Sequence, residues 1–210
     1  SKAHMAHYNK YTKIEMEIFR NEKLIGYNYY FFTKKGNEII VTNQIKFSVN
    51  FMGKTIFQVE GFGKEKYIKD QLISYESKTL QNNKKKFVTL TFDNQNKKFH
   101  IKGSSFNGEA SINNIIGNWW NHKILQADSQ ISPISGSIKE QLVTFVGKEK
   151  INQYGKIFEV SHFTLKSKDM SLPKDKRLDF DIWYDEKNSN IVKVTYSRMG
   201  NWEYRLKSVE

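Results

Sequence analysis

Cysteine is absent from this chain, which removes any disulfide framework and any thiolate metal site. Histidine is scarce. His4, His7, His100, His122 and His162 show no H-E-x-x-H and no paired ligand spacing, so no metal centre is expected. The nucleophile elbow G-x-S-x-G, the phosphate loop G-x-x-x-x-G-K-[ST] and the dinucleotide fingerprint G-x-G-x-x-G are all missing. No enzyme class and no cofactor is therefore indicated. Only two prolines occur, Pro133 and Pro173, and both lie between strand-like segments, where they cost no ladder hydrogen bond. No run approaches the roughly 20 apolar residues of a membrane-spanning helix.

Arginine is also rare. The 34 basic residues include only Arg20, Arg177, Arg198 and Arg205, against 22 acidic residues and a net charge of +12. An excess of that size suggests an anionic partner. Yet the lysines are spread along the chain among 19 asparagines, and bidentate reading of phosphates or bases favours arginine. A nucleic-acid partner is not expected.

What is abundant is aromatic residues, with 15 Phe, 11 Tyr and 4 Trp, a composition that suits strands. The clearest strand pattern lies in residues 177–207. Leu178, Phe180, Ile182 and Tyr184 alternate with Arg177, Asp179, Asp181, Trp183 and Asp185; Trp202, Tyr204 and Leu206 alternate with Glu203, Arg205 and Lys207. Period-two alternation marks half-buried strands, and Gly200-Asn201 predicts a two-residue hairpin turn between 191–199 and 202–207.

The same rhythm runs through the rest. Strands are expected at about 12–18, 24–33, 39–49, 55–68, 71–80, 86–93, 98–102, 138–151 and 156–165. In 24–33 both faces are aromatic, so the strand is covered on both sides or lines a cavity on one. Tyr29 and Phe31 are the candidates for that lining. Asn43 is the one polar residue out of pattern in 39–49. Gly61 and Gly63 predict a bulge or sharp bend. His162 shares a face with Phe158 and Val160 and reads as a hydrogen-bonded core histidine.

From Gly103 to Gly136 the alternation breaks, and residues 111–117 predict one or two helical turns. Trp119, Trp120, Asn121 and His122 follow. Two indoles beside an amide and an imidazole could grip a ligand, or one indole could plug an open end of the β core. Asp179, Asp181 and Asp185 share one strand face with Arg177, which favours a solvated face or an ion-pair ladder over paired catalytic carboxylates.

Residues 1–7 read as a vector-derived or disordered leader, which suggests that a natural N-terminal segment, such as a signal peptide, was removed. Residues 8–210 are expected to form one all-β domain: a strongly curved antiparallel sheet, a β-spiral or open barrel, with at most one or two short helices.

Several short motifs in order carry a resemblance: Ile25-Gly26, Trp119 to Asn121, Val146 to Ile151 leading to Gly155 and Phe158, Ile182 to Asp185, Ile191 to Val194, and Tyr204 to Leu206. Together they resemble an uncharacterised family of exported proteobacterial proteins, a domain of unknown function. That family is similar in architecture to the LolA/LolB lipoprotein carriers and the cell-envelope protein EipB. The resemblance implies a periplasmic, non-enzymatic protein and carries over no catalytic residue. The leading expectation is a protein that binds a lipid or other apolar ligand in its curled sheet, with Trp119, Trp120, Asn121, His122, Trp183, Tyr184, Tyr29 and Phe31 at the site. A structural module with a filled barrel that contacts an envelope protein is the alternative, and a hydrolase the third.

Overall fold

The computed structural model describes residues 4–210. Fifteen strands form one sheet: β1 (Lys13–Arg20), β2 (Lys23–Lys35), β3 (Glu38–Phe51), β4 (Lys54–Ile68), β5 (Gln71–Gln81), β6 (Lys84–Asp93), β7 (Lys98–Gly103), β8 (Asn107–Ser111), β9 (Ile115–Ile116), β10 (Ser129–Ile131), β11 (Ile138–Gln153), β12 (Lys156–Ser167), β13 (Asp179–Asp185), β14 (Asn190–Ser197) and β15 (Asn201–Val209). Helix is confined, among the described residues, to the 3-10 segments His4–Lys10, His122–Leu125 and Lys174–Lys176.

Strand order is β8-β7-β6-β5-β4-β3-β2-β1-β15-β14-β13-β12-β11-β10-β9. Every chain-adjacent pair is hydrogen-bonded except β8 with β9, and the terminal strands β1 and β15 pair in the middle of the sheet. All pairings are antiparallel save β9 with β10. The two sheet edges are therefore consecutive in sequence, joined only by residues 112–114. The result is a strongly curved sheet, a barrel in outline with a single seam that no ladder closes. At the β7–β8 turn Ser105 N–H donates to the Ser135 carbonyl, in the connection between β10 and β11, at 3.0 Å. A Cβ on Gly103 would run into the same carbonyl, so only glycine allows this approach.

The hairpins are short because their turn residues accept positive φ. Met52-Gly53 and Tyr154-Gly155 each do so at both positions, as a two-residue hairpin that matches strand twist requires. The last turn differs from expectation by one residue: positive φ falls on Met199 and Gly200, and Asn201 already pairs with Ser197.

Residues 112–137, expected to begin with helical turns, instead form β9, a 3-10 turn and β10, and fold into the barrel. Ile116, Trp120, Ile124 and Ile131 are fully buried there. Trp120 is held edge-on by Tyr8 at 4.9 Å, Phe32 at 5.6 Å and Tyr67 at 5.9 Å. Residues 4–7, which the sequence reads as vector-derived or disordered, lie in a 3-10 segment. The segment His4–Lys10 packs on the barrel with Met5 and Tyr8 buried, and Tyr8 stacks on Phe32 at 5.7 Å. Residues 1–3 lie outside the described part.

Trp120→Ala is expected to cost ~3–5 kcal/mol, as for other large aromatic truncations in a core. Trp183→Ala, on the outer face, should cost about 1 kcal/mol. Urea denaturation of the two variants checks the difference; equal losses would show that Trp120 is not the plug.

Candidate functional site

The inward face of β2 to β5 and the inserted segment leave a cavity of about 610 Å³. Its deep wall is polar but uncharged. Asn28 Nδ2 donates to Tyr30 Oη at 2.9 Å, and Asn43 Nδ2 donates to Asn28 Oδ1 at 2.6 Å. The out-of-pattern Asn43 is thus the partner of a second inward asparagine. Trp119 N–H reaches Tyr30 Oη at 3.2 Å. Tyr75 Oη and Ser77 Oγ both donate to the Pro133 carbonyl, at 2.9 and 2.6 Å, pinning the inserted segment to β5. Burial raises the Tyr30 and Tyr75 phenols well above their usual range and pushes Tyr204 up to about 12, so these groups stay neutral. Trp119, Phe180, Tyr196 and Ile45 supply the apolar part of the wall, and Trp119 meets Phe180 edge-on at 5.0 Å.

Gly61 and Gly63 carry no bulge: β4 pairs in regular register with β3 and β5 through both. Their role is volume. A Cβ on Gly63 would lie 2.9 Å from Tyr75 Oη, and one on Gly61 2.9 Å from the Ile45 Cγ2. Both glycines line the cavity.

Behind the Asn118 wall lies a buried carboxylate. Glu65, 2% exposed, accepts from Trp120 Nε1 at 2.8 Å and Asn118 Nδ2 at 2.9 Å on one oxygen, and bonds Tyr67 Oη at 2.7 Å on the other. No cation pairs with it among the described residues. Desolvation raises its pKa to about 7, against the three hydrogen bonds that lower it. The protonated acid also fits the geometry, because Tyr67 Oη can accept from the carboxyl O–H while the other oxygen keeps both N–H donors.

Of the eight residues expected at the site, only Trp119 lines the cavity. Trp120 is the core plug. Asn121 caps the 3-10 turn, accepting from Lys123 N–H at 3.1 Å. His122 contacts Tyr8 Oη at 2.7 Å and stacks on Tyr184 at 5.6 Å; burial first, then His4 and His7, lowers its pKa to about 4. Trp183 stacks on His162 at 4.4 Å with Lys193 above it. Tyr29 and Phe31 lie on the outer face of β2, under the Lys13 ammonium at 4.4 and 5.6 Å. Strand alternation turns their neighbours Asn28 and Tyr30 inward instead.

The three carboxylates of β13 do not share one environment: Asp179 is exposed and Asp185 is buried. Asp181 pairs with His162 at 2.7 Å, and that histidine is half-buried on β12 rather than in the core. Asp185 is buried, and it accepts from Asn188 Nδ2 at 2.8 Å. Arg177 forms no ion pair among the described residues and instead lines the cavity. Sequence reasoning missed Glu65, although a charge at an inward position of β4, between Gly63 and Tyr67, was a legible signal.

Glu65→Gln can keep all three contacts, since its amide can donate to Tyr67 while its oxygen accepts the two N–H groups. A carboxyl with a raised folded pKa stabilises fully below about pH 4.5 and loses that contribution as pH rises toward about 7. The stability of wild type relative to Glu65→Gln should therefore fall across that window in denaturation series. A difference that stays flat with pH would show that Glu65 is not held protonated.

Comparison with known proteins bears on the fold. The chain is similar to a β-barrel-like protein of domain of unknown function DUF1849 from Brucella abortus, with a TM-score of 0.62 and 10% identity over 94% of this chain and 95% of that chain. A protein from Bacteroides fragilis named as exported, with a YmcC-like fold, aligns over 94% of each chain at 12% identity, and its TM-score of 0.38 is too low to carry an argument. No curated protein matches the chain. A family model for a domain of unknown function matches residues 16–207, and the chain belongs to that family, DUF6134.

Proposed function

We propose that this protein is a non-catalytic binding protein of the periplasm that holds a small amphiphile, such as a lipid or its acyl chain, inside its open barrel. The observation that carries the reading is the cavity of about 610 Å³, within the range of roughly 300–1,000 Å³ typical of small-molecule sites. Its wall joins aromatic and aliphatic surface to neutral hydrogen-bonding groups, and two glycines in β4 keep it open. The periplasmic assignment rests on the resemblance to exported proteins.

A second reading has its own observation. The β11–β12 hairpin exposes Leu142, Phe145, Val146 and Ile157, apolar surface that suits contact with an envelope protein. The cavity is what favours ligand binding over a filled interaction module.

Native mass spectrometry after mild extraction is expected to show a co-purifying amphiphile on wild type. None is expected on Ile45→Trp, whose indole would occupy the cavity. A wild-type protein that carries no small molecule and takes up neither dodecanoate nor dodecanol would overturn the reading.

A further inference from the structure

The cavity wall is neutral in its depth and strongly cationic at its mouth. Lys139, Lys166, Lys174, Arg177 and Arg198 line it there, opposed only by Asp175 and Asp179. None of these five cations takes part in an ion pair among the described residues. Six lysines elsewhere have an ion-pair partner among the described residues, as Lys193 does in Glu203 at 3.2 Å and Lys98 in Glu109 at 2.9 Å. The basic groups arrive from separate elements. Lys139 comes from the start of β11, Arg177 from the loop before β13, and Arg198 from the turn between β14 and β15. No single strand face explains their convergence. They also hold two of only four arginines in the chain.

We propose that the amphiphile's outer end carries an anionic group, a carboxylate or a phosphate, that is held at the cavity mouth by Arg177, Arg198 and Lys139. This rests on the binding reading above and adds the chemistry of the ligand's polar end. Guanidinium forks match both carboxylate and phosphate oxygens bidentately. The lysine supports the arrangement: burial, then Arg198 and Lys176, lowers its pKa, while Asp175 opposes this. An anion placed among these groups relieves their mutual repulsion, and the neutral wall below accommodates the tail.

The test is a calorimetric titration of ligand-stripped protein at low ionic strength with dodecanoate, dodecyl phosphate and dodecanol, which share one tail. Either acidic amphiphile is expected to bind about tenfold or more tightly than the alcohol, the strength of a charge-assisted hydrogen bond or two. R177A/R198A should remove that advantage, so that the acids bind no more tightly than dodecanol, and Lys139→Met, made separately, should reduce it in part. The control K148A/K150A removes two charges from the β11 segment outside the cavity and should change nothing. The tighter of the two acids tells a carboxylate head from a phosphate head. Equal binding of acid and alcohol, or equal loss in the control, overturns this inference and leaves the cavity reading standing. Failure of all three amphiphiles to bind removes both.

Discussion

A β sheet has two edges whose unpaired N–H and C=O groups must be covered, paired or kept short. Here that constraint is met by chain order. The polypeptide begins in the middle of the sheet, runs strand by strand to one edge at β8, crosses in three residues to the other edge at β9, and returns to pair β15 with β1. Because the edges are neighbours in sequence, they are also neighbours in space. The sheet must curl, and everything else follows from the space it curls around.

That space is filled unequally. Residues 112–137 enter it, and Trp120 with Ile116, Ile124 and Ile131 packs one part densely. The carboxyl of Glu65 serves the plug, since it satisfies the indole N–H and the Asn118 amide that burial would otherwise leave unpaired. On the other side of Asn118 the same segment stops short of β4, where Gly61 and Gly63 withdraw side-chain volume, and the cavity remains. Trp119 and Trp120 thus divide the two roles that adjacent indoles could play. One is in the wall of the cavity and the other is the plug beside it.

Much of the architecture was legible. The alternation of Leu178, Phe180 and Ile182, or of Trp202, Tyr204 and Leu206, reports directly which face is buried. The site was legible only in part. Tyr29 and Phe31 look like lining because they are aromatic, but the phase of β2 turns Asn28 and Tyr30 inward, and a two-sided aromatic strand does not reveal its phase. Asp185 is buried on the face that alternation turns outward, where its carboxylate accepts from Lys187 N–H and Asn188 Nδ2 of the following turn. Segment 103–136 lacks any period, so its path inside the barrel had no local signature.

Local pattern alone determined that this is an all-β chain of short-turned antiparallel strands, since side-chain alternation and turn chemistry act between residues a few positions apart. Tertiary structure alone decided where the seam falls, which indole is buried, and that Lys139, Arg177 and Arg198 share one opening. Those facts depend on contacts between residues tens of positions apart, set by how far the sheet curls and how much of its interior the inserted segment fills.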